Sequence, residues 1–77
     1  MGTVIESNRL KYKINARDHQ PPHVHVEGLG ASVRINLLTL EVMDAKTGFS
    51  KSSVRNIIEF VKLHLTELLE VWNDYHE

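Results

Sequence analysis

The hydrophobic period of this chain changes once, and that change limits its fold more than any other feature. Up to Ile35 apolar residues alternate with polar ones; beyond Ser50 they return at every third or fourth position. A period of two sends successive side chains to opposite faces of a strand, whereas a period of 3.6 lines one face of a helix. The chain therefore reads as a sheet followed by a helix. Thr3-Val4-Ile5 is predicted as a strand and Glu6-Ser7-Asn8 as the hairpin turn after it. From Arg9 to Arg17, Leu10, Tyr12, Ile14 and Ala16 interleave with Arg9, Lys11, Lys13, Asn15 and Arg17, which gives a half-buried strand with a basic outer face. In Asp18-His19-Gln20-Pro21-Pro22 two prolines fix φ and remove two donors, so neither strand nor helix runs through it. His23 to Glu27 alternates again, Gly28-Leu29-Gly30 supplies a turn, and Ala31 to Asn36 forms the next strand. Leu37, Leu38, Leu40, Val42 and Met43 predict either a last strand or a bend that returns the chain to the core.

The second half opens at the breaker Lys46-Thr47-Gly48, with Ser50 placed as the N-cap. Val54, Ile57, Ile58, Val61, Leu65, Leu68, Leu69, Trp72 and Tyr75 then fall in one stripe roughly 120° wide, the pattern of a helix laid on a sheet. An unbroken helix from Lys51 to His76 is about 39 Å long. A compact chain of this size is about 30 Å across, so the helix is expected to overhang it. Leu63 lies opposite the stripe and Phe60 at its margin. With Trp72, and Val71 beside it, they make a candidate interface for a homodimer built on a two-fold axis. The expected fold class is α+β: an antiparallel β-meander of four or five strands over residues 3–43, packed against one long C-terminal α-helix from about Lys51 to about Tyr75. Antiparallel order follows because no connection within the sheet is long enough for a crossover. Residues 1–77 are expected to form a single domain, 1–45 the meander with its histidine-rich loop and 50–76 the helix.

Composition narrows the chemistry. The chain lacks cysteine, which excludes disulfides, a thiolate zinc site and a cysteine nucleophile. Three apolar residues never occur in a row, so no membrane span is expected, and a cytoplasmic location is the reading that results. Met1-Gly2 opens like a myristoylation site, but Glu6 stands where that motif wants Ser or Thr. Nine Lys and Arg against ten Asp and Glu leave a formal charge of −1, which offers nucleic acid no global cationic field.

Three of the five histidines, His19, His23 and His25, fall within seven residues, with Asp18 before them and Glu27 after. On a strand His23, His25 and Glu27 share one face while Val24 and Val26 face the core, so the imidazoles are expected at solvent or in a cleft. Residues i and i+2 of a strand lie about 6.6 Å apart, close enough for two imidazoles to reach one metal ion such as zinc. His19, returned by the Pro21-Pro22 elbow, is the candidate third nitrogen, and Asp18 or Glu27 is the carboxylate expected to orient a ligating imidazole from behind. A metal-free alternative casts His19, His23 and His25 as base and acid toward an RNA 2′-hydroxyl, with Arg17, Arg9 or Lys13 stabilising the phosphorane charge. A third reading makes the histidines solvated strand residues of a non-catalytic binding module. Among the rest, His64 reads as a packed edge residue and His76 as too close to the terminus to interpret.

Asp18-His19-x-Pro21-Pro22-His23-Val24-His25-Val26, Gly48-Phe49-Ser50 at the helix start and Trp72-Asn73-x-Tyr75 at its end give the chain its likeness to known sequences. On these it resembles the small bacterial family designated domain of unknown function 4160 over nearly its whole length. The resemblance implies a small antiparallel sheet with one long C-terminal helix, and a second small protein, encoded nearby, that resembles a DNA-binding regulator. It also implies an arrangement similar to toxin–antitoxin pairs, which makes the preferred expectation an RNA-directed, toxin-like effector. It places His19, His23 and His25 in the family motif and assigns them no activity. The aromatic run usual in the first hairpin of such proteins is reduced here to Tyr12.

Overall fold

A computed structural model of the chain describes residues 3–76, with side chains from Ile5 onward; the Met1-Gly2 start lies outside them. Strands β1 (Thr3–Ser7), β2 (Leu10–Ile14), β3 (His23–Gly28) and β4 (Ala31–Asn36) are followed by helices α1 (Lys51–Leu63) and α2 (Leu65–His76). The strands form one antiparallel sheet in the order β1-β2-β3-β4, the predicted meander.

The first turn sits one residue later than predicted. Ser7 pairs with Leu10, leaving Asn8 and Arg9 as a two-residue loop with φ of 51° and 66°. Two positive φ values give the type I′ twist that matches the strands it joins. Leu29 and Gly30 repeat this geometry between β3 and β4, with φ of 54° and 77°. At Gly28 a Cβ would stand 2.5 Å from the Arg9 carbonyl oxygen, so glycine there lets the first turn close against the end of β3. β2 ends at Ile14, short of Arg17, because Asn15 and Asp18 close a turn through a 3.3 Å backbone hydrogen bond. The predicted fifth strand reduces to a bend with one bridge, Ile35 to Val42. Asn36 makes that bend by accepting the Leu38 and Thr39 amides on Oδ1.

The single long helix is corrected to two segments. His64, with φ −105° and ψ 18°, leaves the helical region between them. The hydrogen bonds on either side survive, His64 N–H to Phe60 and Leu68 N–H to His64, so the axis bends without parting. The molecule measures 35 Å along its longest dimension, shorter than the predicted unbroken helix. Ser50 caps α1 as expected, its hydroxyl accepting the Ser53 amide.

The buried stripe carries across the bend. Ile57 and Val61 of α1 and Leu68 and Trp72 of α2 cover the inner face of the sheet, where Tyr12, Ile14, Val24, Val26, Val33 and Ile35 are buried. Burying each Val of β3 contributes about 1.5 kcal/mol or more. This anchorage fixes β3, and with it the direction in which its outer side chains project.

Candidate metal centre

The alternation of β3 fixes where the two histidines stand. With Val24 and Val26 fully buried, His23 and His25 project from the other face near the strand's N-terminal end, where residues 15–22 fold back across them. The Pro22 carbonyl accepts the Leu37 amide at 2.9 Å, which ties this loop to the end of β4. His25 is half-buried, whereas His23 is buried, contrary to the expectation that both rings face solvent. Its ring lies 5.4 Å from Trp72 and 4.9 Å from His25. The last turn of α2 covers the strand end that periodicity alone leaves open.

One carboxylate oxygen meets both rings. Asp18 Oδ2 lies 2.6 Å from His25 Nε2 and 3.2 Å from His23 Nε2. Ligand atoms of Asp18, His23 and His25 all stand within 4.8 Å of one another. His23 Nδ1 is 2.9 Å from the Pro21 carbonyl oxygen, which only accepts, so Nδ1 carries the hydrogen and donates it. In the neutral ring this turns the Nε2 lone pair toward the Asp18 oxygen. Lone pair against carboxylate is repulsive, and a cation between them, either a proton or a metal ion, relieves it. Burial pushes the Asp18 carboxyl up, but the hydrogen bond from His25, the charges of His25 and His23 and a hydrogen bond from Asn15 outweigh it and hold it below the usual carboxylate range. The set is two imidazoles and a carboxylate, with hardness and number suited to a divalent transition metal.

The loop sorts the predicted site residues differently from their spacing. His19 is exposed and takes no part in the cluster, so the expected three-histidine set becomes His23, His25 and Asp18. Successive residues of a turn point in different directions, and Asp18, expected behind a ligand, is the one aimed at β3. Glu27 instead holds Lys13 at 3.0 Å across the sheet, and Arg17 is exposed. Of the expected interface residues, Leu63 alone is fully exposed, at 79%. Phe60 stacks on Tyr12 at 4.3 Å, and Trp72, at 1% exposure, belongs to the core and has no surface to give a partner.

His76, which the sequence leaves uninterpreted, ties the Asp18 loop to α2. Its ring lies flat on Trp72, 3.9 Å away at 10°, with Nδ1 2.8 Å from the Trp72 carbonyl oxygen and Nε2 2.6 Å from that of Asp18. The spacing Trp72-x-x-x-His76 is the only local signal for it, since its partner Asp18 is 58 residues away.

A second carboxylate lies on the same face. Asp44 accepts the Arg34 amide at 2.8 Å on Oδ2, and the guanidinium Nε and Nη2 at 3.0 and 2.8 Å on Oδ1. The hydrogen bond to Asp44 raises the Arg34 guanidinium, and the same bond holds the Asp44 carboxyl below its ordinary value.

No helix among the described residues is long and apolar enough to cross a membrane. No curated protein and no solved structure matches the chain. Residues 10–73, which span the sheet, the Asp18 loop and the helices through Trp72, match the family described as Domain of unknown function (DUF4160). The chain belongs to that family.

Proposed function

We propose that this protein binds one divalent transition metal ion through His23, His25 and Asp18 and keeps coordination positions free for water or a ligand. The observation that carries the reading is the convergence of two imidazole nitrogens and a carboxylate oxygen within 4.8 Å, with His23 turned by its bond to the Pro21 carbonyl so that Nε2 is the free nitrogen. Orientation of a ligating histidine by a backbone carbonyl is the usual support of such sites. Three protein ligands leave a tetrahedral ion incomplete, the condition for Lewis-acid chemistry rather than a structural staple. Zinc, nickel or cobalt suits a nitrogen and oxygen set.

The test is a cobalt(II) titration of untagged protein, followed by visible absorption, with elemental analysis of the protein as purified. One ion per chain, lost in His25→Ala, supports the reading. A wild-type chain that takes up no ion overturns it.

One observation favours a second reading, the toxin-like effector acting on RNA. Asp18 backs His25 at 2.6 Å, and His25 borders a groove that also holds Arg34 and Lys46, the pieces of a metal-free acid–base site. Cleavage of purified RNA in the presence of a chelator, abolished in His25→Ala at unchanged melting temperature, is its signature. A binding module for a neighbouring small protein would show neither metal nor cleavage, and would co-purify with that protein.

A further inference from the structure

On the open face of the sheet, beside the three candidate ligands, lies a groove of about 420 Å³ bordered by His25, Glu27, Ser32, Arg34, Asp44 and Lys46. Its charges cancel except at one place. Glu27 is held by Lys13 at 3.0 Å and Asp44 by Arg34 at 2.8 Å. Lys46 has no hydrogen bond or ion pair among the described residues, and it is exposed at the rim. Arg34 spends Nε and one Nη2 hydrogen on Asp44, which leaves its other N–H donors for a ligand. The groove thus offers donors and one uncompensated cation, and neither of its bordering carboxylates is uncompensated.

Resting on the metal reading above, we infer that the ion and this groove together form a site for a small phosphate, either free or as a monoester. A divalent ion exceeds the Asp18 charge by one, and Lys46 adds a second, which matches a phosphate dianion. His25 belongs to both the ligand set and the groove wall, so the ion and the groove address the same ligand. A nucleic-acid backbone fits poorly. A polyanion requires uncompensated cations repeated along its path, and among the described residues Lys46 is the one such cation bordering this groove, since Arg34 is paired with Asp44.

The test uses inorganic phosphate with the cobalt(II)-loaded chain, read as paramagnetic broadening of the phosphorus-31 resonance, beside the metal-free chain and Lys46→Ala. Saturable broadening by the loaded wild type, weakened about fivefold in Lys46→Ala as expected for one exposed ion pair, supports the site. Because Lys46 touches none of the three ligands, its removal should leave the cobalt titration unchanged. Cobalt uptake without phosphate binding overturns this inference and leaves the metal reading standing. Equal phosphate affinity in Lys46→Ala, or in the metal-free chain measured beside the loaded one by titration calorimetry, also overturns it. Failure of the wild type to bind cobalt removes both. An RNA oligonucleotide that displaces phosphate and binds more tightly than it would overturn the small-ligand assignment in favour of a polymer.

Discussion

Asp44 and Asp18 are two carboxylates on one face of one sheet, and their partners differ in kind. Asp44 receives a backbone amide and two guanidinium hydrogens, donors that never lose their protons under working conditions. Each of its oxygens is held by a donor of the chain. Asp18 faces two imidazole nitrogens, and the His23 bond to Pro21 leaves at least one of them with a lone pair whenever that ring is neutral. On the proposed metal reading its environment is completed by a cation. On that reading, the difference separates a pin, whose contacts stabilise the fold, from a site, whose contacts await a ligand.

The sharpest way to break this distinction is to remove each carboxylate in turn. Asp18→Asn, or His25→Ala, should weaken cobalt(II) binding by at least about 100-fold, since even outer supports of a metal site are worth 10–100-fold. The melting temperature should move little, and a large fall in stability with metal affinity intact would reverse the roles of the two residues. Asp44→Asn should do the opposite, costing about 1–2 kcal/mol in chemical denaturation while leaving cobalt affinity unchanged.

Acid sharpens the same contrast. The Asp44 carboxyl is held below its ordinary value in the folded state, so the stability it contributes is present above about pH 4 and is lost as pH falls through the lowered folded value. Acid unfolding followed by circular dichroism should therefore be less steep in Asp44→Asn. A profile identical to wild type would remove the pin role.

His76→Ala tests whether the site depends on the contact between α2 and the Asp18 loop. Loss of the contact to the Asp18 carbonyl should lower cobalt affinity about tenfold, the lower range for a supporting residue. Trp72 stacks on this ring and is the single tryptophan, so its fluorescence reports the loss of stacking in the same sample. The smallest effect belongs to the far end of β3. Leu29 holds a positive φ that costs a branched side chain roughly 1 kcal/mol, and Leu29→Asn should return up to about that amount of stability. Cobalt affinity should not respond, because turn and site share no residue.

Particular residues show how far the sequence could be read. The alternation from His23 to Glu27 located β3 and its buried valines because a period of two has one outcome on a sheet with one covered face. The Pro21-Pro22 pair announced a loop, and Ser50 announced a helix start, because both are local stereochemistry. The bend at His64 carried no such mark, since neither glycine nor proline stands there, and the stripe continues through it. The part His76 and the Trp72 ring play at the site carried no mark for a related reason. Nearness to a terminus and membership of a stripe say nothing about which distant loop a ring will meet.

Sequence by itself determined the sheet-then-helix order, the meander, the core face of each central strand and the pairing of His23 with His25 on one strand. These follow from spacings of two to four residues, within which backbone geometry leaves few choices. Tertiary structure decided that Asp18 rather than His19 joins them, that His23 is buried beneath Trp72, and that His76 holds the loop from 58 residues away. Each of those outcomes depends on where a turn aims a side chain relative to an element far along the chain. That direction is set by the packing of α2 on the sheet, and local periodicity does not encode it.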